Sequence, residues 1–138
     1  MTVDEIIDLA NGIKRKYDRD PIRICNQMGI PIHYTNLKPN IYPAYTLKVG
    51  VLPVINLNTH FTLKSQQVLC AHELGHVLLH NDKLINEFGD NHNGSEEYEA
   101  NLFAVSLLFE QENLNYNIKA MDNYMLKELL NYNIKLIS

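Results

Sequence analysis

Residues 72–80 read His-Glu-Leu-Gly-His-Val-Leu-Leu-His, and no other stretch of the chain limits the fold so tightly. The spacing H-E-x-x-H is chemically useful on a helix, where 3.6 residues per turn bring His72 and His76 onto one face, about 6 Å apart along the axis. Two imidazoles so placed converge on one ion. Glu73, beside them, cannot easily join as a ligand but can reach a water held on the metal and take its proton. In a chain of 138 residues with six histidines, chance supplies about 0.02 such motifs.

The motif lies in an apolar-periodic segment, Phe61 to Leu79, that predicts a helix capped by Thr62. Leu63, Cys70, Leu74, Val77 and Leu78 supply its core stripe, while His72 and His76 point elsewhere. Gly75 costs such a helix up to about 1 kcal/mol, which implies that another part of the chain passes close to it. His80 is a poor third ligand, because a continuous helix carries it about 12 Å along the axis from His72. The glycine that breaks the helix in H-E-x-x-H-x-x-G-x-x-H is also absent. His80 is read as structural.

A catalytic zinc commonly takes three protein ligands and keeps one position for water, so a third donor is expected from elsewhere. After a polar connection, Asn81 to Gly94, a new helix starts near Ser95 with Glu96, Glu97 and Glu99 in its first turn. Complementing the helix dipole accounts for three acids there without any chemistry. A carboxylate on this next helix is also suited to closing the metal site. Glu97 is the choice, since its i+4 neighbour Asn101 shares its face and can orient a ligand from behind. Leu102, Phe103, Val105, Leu107, Leu108 and Phe109 continue the helix as core.

Elsewhere the periodicities are plain. Thr2-Val3-Asp4-Glu5 is a capping box for a helix over 3–17, and Asp20-Pro21 with Gly29 brackets a short helix from Pro21 to Met28. Lys14, Arg15, Lys16 and Arg19 read most simply as a solvated face between the two. Alternation then predicts strands at Ile30–Thr35, Ala44–Val49 and Leu52–Leu57, separated by a Lys38-Pro39-Asn40 loop and a turn at Gly50. Pro31 and Pro53 favour strand starts or edges. An exposed edge could accept an extended peptide as another strand, or simply belong to ordinary sheet packing. Near the C-terminus, Leu114-Asn115-Tyr116-Asn117-Ile118-Lys119 recurs as Leu130-Asn131-Tyr132-Asn133-Ile134-Lys135 around a helix carrying Met121, Tyr124, Met125, Leu126, Leu129 and Leu130. Two copies of six residues are too short for a solenoid.

A hydrophobic content of 46% over this length allows one domain with a real core. Residues 1–60 carry seven basic and five acidic side chains, and residues 61–138 five and eleven, so the motif-bearing half is acidic. All three arginines, Arg15, Arg19 and Arg23, lie near the start, which argues against direct nucleic-acid binding. Cys25 and Cys70 sit in apolar surroundings and are expected as buried free thiols. Neither a signal peptide nor a membrane span is expected, and the expected location is cytoplasmic.

Phe61-Thr62, His72-Glu73-Leu74-Gly75-His76 with Leu79-His80, and Glu97-Tyr98-Glu99-Ala100-Asn101-Leu102-Phe103-Ala104 with Leu107-Leu108 together resemble the ImmA/IrrE family of zinc metallopeptidases. The resemblance runs from about Asp20 to Phe109. It implies an α+β domain with a small three-stranded sheet packed with helices, and a thermolysin-like metal site between the H-E-x-x-H helix and the helix after it. His72, His76 and Glu97 would be the zinc (Zn2+) ligands, Glu73 the general base, and Asn101 the support behind a ligand. Where the family tends to continue Met-Pro, this chain has Phe109-Glu110, and the C-terminal part matches weakly. The expected division is therefore a metallopeptidase-like domain over 1–112 and a helical extension, 113–138, packed on it.

The resemblance also implies a protein substrate, a helix-turn-helix transcriptional repressor of a phage or mobile element or of a stress response. The reading of a different class is a non-catalytic, zinc-containing anti-repressor or stress-sensor module, and a third is a purely structural zinc. Tyr45, His60, His92 and Tyr98 are, by chemistry alone, the candidates to stabilise an oxyanion.

Overall fold

Each helix begins where the sequence supplies a cap. In the computed structural model, which describes residues 1–38, 42–80, 85–87 and 94–137, α1 (Val3–Lys16) opens on the capping box. The Glu5 amide donates to Thr2 Oγ1 at 3.2 Å and the Thr2 amide to Glu5 Oε1 at 2.8 Å. Ile6, Ala10 and Ile13 form its buried stripe. Asp20 accepts from the amides of Ile22 and Arg23 to start α2 (Pro21–Met28), which stops at Gly29 in the left-handed conformation, φ 77°. Of the basic cluster, Lys14 and Arg19 both pair with Glu110, and Lys16 stands over the Tyr17 ring; Arg23 pairs with Asp18.

The three expected strands form, as β1 (Ile32–Thr35), β2 (Ala44–Val49) and β3 (Leu52–Asn58). β2 and β3 make a hairpin whose turn places Gly50 at φ 67°. β3 also pairs in parallel with β1, with Ile32 opposite Ile55. Pro53 sits in this central strand, but ahead of the stretch that β1 flanks, so its missing N–H breaks no ladder there. Ala44, Thr46, Ile55 and Leu57 are buried on the face that packs on the helix carrying the histidine motif.

A fourth strand, β4 (Ile85–Glu87), pairs antiparallel with Tyr45–Leu47 and gives the sheet order β1-β3-β2-β4. It lies inside the stretch read as a polar connection, because three residues are too few to display alternation; the rest of that connection is outside the described residues. β4 covers the outer edge of β2, whereas β1, among the described residues, pairs only with β3.

Two helices form the centre of the molecule. In α3 (Leu63–Leu79) and α4 (Gly94–Leu108) the buried residues run almost without interruption, from Ser65 to Val77 and from Ala100 to Leu107. Such helices are enclosed all round rather than half-exposed. One residue assigned to the stripe of α3 is out of place: Leu63 is 77% exposed, because it directly follows the Thr62 cap, before the helix enters the core. α4 packs against α1 on one side, α3 on another and α5 (Asn123–Tyr132) on a third.

Leu126 and Leu130 bury the inner face of α5. The chain then returns to the start of α3, where Ser65 Oγ accepts from the Lys135 amide at 2.6 Å and the Thr62 amide donates to the Lys135 carbonyl at 3.0 Å. The two copies of the hexapeptide do not share a conformation. The first lies in turns that include a 3-10 turn at Ile118–Ala120, and the second begins in the last turn of α5. No helix among the described residues is long and apolar enough to cross a membrane.

Candidate metal centre

Gly75 explains how α3 and α4 can share a site. A Cβ on it would stand 3.1 Å from both Cα and the carbonyl oxygen of Ala100, so only a glycine lets the α4 backbone come this close. The close passage expected from sequence is therefore α4 itself. Ala100 lies between Glu97 and Asn101, and both reach α3 as a result.

One helical turn separates His72 from His76, and their rings stand edge to face with centroids 4.8 Å apart at 83°. Glu97 meets both from α4. Its Oε1 is 3.0 Å from His76 Nε2 and its Oε2 3.5 Å from His72 Nε2. One ligand atom from each of the three lies within 4.8 Å of the others. Both imidazoles are buried, while the Glu97 side chain keeps 13% exposure, so the cluster meets solvent on the carboxylate side.

Behind His72, Nδ1 donates to Asn101 Oδ1 at 2.8 Å, and Asn101 Nδ2 donates to Asn123 Oδ1, also at 2.8 Å. Committing the amide nitrogen to Asn123 leaves the Asn101 oxygen for the imidazole and turns Nε2 toward Glu97. Asn123, on α5, was not singled out from sequence: it lies in an asparagine-rich stretch, and no spacing relates it to the motif. Behind His76, Nδ1 lies 3.0 Å from His80 Nδ1, and His80 Nε2 lies 2.8 Å from Glu99 Oε1. His80 is thus outside the group of three ligand atoms. Glu96 is half-exposed in the first turn of α4.

Glu73 is fully buried on the same turn of α3. The Thr46 hydroxyl donates to its Oε1 at 2.6 Å, from the inner face of β2. Alternation places Thr46 on a strand, but which strand residue meets which helix residue is set by packing, and sequence gave no signal for it. Tyr45, the preceding residue, points to the opposite face of the sheet and rests edge-on against Tyr42. His60 is held at the end of β3 by Asn58, with Nδ1 3.0 Å from Oδ1. Tyr98 packs half-buried against the core, and His92 lies outside the described residues.

Burial works against charge on all three cluster residues, and their mutual contacts decide the outcome. Burial pushes His76 down to about 4, with the neighbouring His72 and His80 adding to the effect, so it is neutral at pH 7. For Glu97, burial is outweighed by the two imidazoles, which hold its carboxyl well below the usual range. Burial opposes a proton on His72 too, but Glu97, Glu73 and Asn101 together raise its pKa.

These donors fit a divalent cation. Their ligand atoms, one from each residue and all within 4.8 Å of one another, are close enough to converge on one ion with bonds of about 2.0–2.1 Å. Two imidazole nitrogens and a carboxylate oxygen are also a borderline donor set of the kind zinc takes, with one position left open.

Comparison with protein families matches residues 25–134 to the Peptidase_M78 model, described as an IrrE N-terminal-like domain. The match continues well past Phe109, where the sequence motifs end, and takes in α5. Comparisons with curated proteins and with solved structures return no match.

Proposed function

The chain belongs to the IrrE N-terminal-like family of M78 peptidases, and from that premise we propose that it is a zinc-dependent endopeptidase in which Glu73 is the general base. The observation that carries this reading is the placement of Glu73. Its buried carboxylate, anchored by Thr46 at 2.6 Å, lies on the same turn of helix as two imidazoles that share a second carboxylate, that of Glu97. A purely structural zinc needs no such base and tends to be closed by four ligands.

His72, His76 and Glu97 would hold the metal. When bound, zinc lowers the pKa of a water toward about 7 and polarises a peptide carbonyl. Glu73 accepts the proton of the attacking water and returns it to the amine nitrogen as the peptide bond breaks. Thr46 keeps one carboxylate oxygen occupied, which fixes the plane of the carboxylate and directs the other oxygen to the proton. Asn101 and Asn123 hold the His72 ring in the orientation a metal ligand needs.

The substrate reading rests on family resemblance: a helix-turn-helix transcriptional repressor of a phage or mobile element, or one acting in a stress response, cut by a chain that itself touches neither DNA nor membrane. The reading of a different class is a zinc-containing module that titrates such a repressor without cutting it. Glu73→Gln separates them. Under the peptidase reading the variant folds and binds zinc, yet leaves the repressor intact and its target genes silent. Full derepression by Glu73→Gln would instead establish the binding module.

A further inference from the structure

The two histidines are held from behind by different means, and the support of His76 is the one that sequence reasoning set aside. α3 ends at Leu79, and His80 takes the C-cap with φ −133° and ψ 38° while its amide still bonds the His76 carbonyl at 2.7 Å. His80 is thus still i+4 from His76, on the same face one turn on, and its ring lies against that of His76 with centroids 5.1 Å apart. Its Nδ1 comes to 3.0 Å from His76 Nδ1, its Nε2 to 2.8 Å from Glu99 Oε1, and the ring is 6% exposed.

Building on the zinc reading, we propose that Glu99 and His80 are positioning residues that fix which nitrogen of His76 faces the metal. His76 Nε2 faces Glu97 Oε1 at 3.0 Å, on the side where His72 Nε2 also converges, so a His76 that ligates through Nε2 carries its proton on Nδ1 and donates it to His80 Nδ1, 3.0 Å away. His80 then accepts at Nδ1 and donates from Nε2 to Glu99, whose carboxylate oxygen lies 2.8 Å away and can only accept. Glu99 acts through two hydrogen bonds in series, without touching the metal. The arrangement mirrors that behind His72, where Asn123 and Asn101 select the same nitrogen.

The test is zinc affinity, measured by competition with a chromophoric chelator, together with the visible absorption of the cobalt-substituted protein. His80→Phe keeps the ring shape but removes the acceptor, and Glu99→Leu removes the acceptor for His80. Both are expected to weaken zinc binding about 10- to 100-fold, the usual scale for losing such a partner, and to shift the cobalt spectrum. His80→Asn, whose Oδ1 replaces Nδ1, and Glu99→Gln, which keeps an acceptor, are expected to stay within about threefold of wild type. If His80→Phe fails to fold, Glu99→Leu decides, since that side chain is 25% exposed. Wild-type zinc affinity in Glu99→Leu, with only its melting temperature lowered, overturns the proposal and leaves the zinc reading standing. A wild-type protein that binds no zinc overturns both.

Discussion

Replacing Gly75 by alanine sets two opposed effects against each other, and the structure says which wins. In an open helix the change stabilises by about 0.8–1 kcal/mol, because glycine loses more backbone entropy than alanine. Here the new Cβ meets the Ala100 Cα and carbonyl oxygen at 3.1 Å and Phe103 Cβ at 3.4 Å. Two of these atoms belong to a backbone enclosed in the core, so relief requires moving α4 by a few tenths of an ångström. Overpacking of this kind costs about 1–3 kcal/mol. The net is a destabilisation of about 1 kcal/mol, which for a chain of this size lowers Tm by about 3 °C. The same displacement carries Glu97 away from His72 and His76, so zinc affinity falls as well. Gly12→Ala is the internal control, since its Cβ would meet nothing nearer than an Arg15 side-chain nitrogen at 3.9 Å; it should raise Tm by about 3 °C. Thermal melts of both variants with and without zinc are the assay. A Gly75→Ala protein as stabilised as Gly12→Ala, with undiminished zinc affinity, would refute the close approach of α4 as the reason for this glycine.

Thr46→Val preserves shape but removes the donor to Glu73; losing a hydrogen bond to a charged group, about 1.5–3 kcal/mol, should lower kcat about 10- to 100-fold with zinc content unchanged, and an unaltered kcat would show that Thr46 does not position the base. Because contacts with Glu97, Glu73 and Asn101 raise the pKa of His72 against its burial, while burial holds His76 down to about 4, zinc is expected to displace a proton from His72 at pH 6.5, and affinity to fall as pH drops toward that value. Calorimetry in buffers of different ionisation enthalpy measures this directly; a buffer-independent heat at pH 6.5 would contradict it. Cys25 and Cys70 are fully buried with Sγ atoms 3.7 Å apart, and hydrogen bonding to Cys25, with burial, raises the Cys70 thiol well above its usual value. Native protein should therefore leave both unreacted with a thiol reagent that titrates two after denaturation, and prompt labelling of either in the native state would show the pair to be accessible.

What sequence made legible was what one element settles for itself. Capping residues, the αL glycine after α2, the hairpin turn and the alternating strands depend on neighbours in the chain, and they form with ends shifted by only a residue or two. The spacing within α3 and the i+4 relation of Glu97 to Asn101 are equally local, and the structure brings all four of His72, His76, Glu97 and Asn101 together. Contacts between elements were hidden. Thr46 meets Glu73 across 27 positions and Asn101 meets Asn123 across 22, and no periodicity encodes either. His80 was legible in position but not in contact, because its distance was measured from His72, whereas its i+4 neighbour on the helix is His76. Gly75 is the intermediate case: its cost to the helix announced a close neighbour, and only the fold could say that the neighbour is Ala100.

In the proposed enzyme His72, His76 and Glu97 form one zinc site with a position left open. Elemental analysis of protein purified without added zinc, wild type beside Glu97→Ala, tests it most directly. One zinc per wild-type chain and little or none in the variant is expected, with both proteins folded. Wild-type protein that holds no zinc even after zinc is supplied, or a Glu97→Ala variant that retains its full complement, would contradict it.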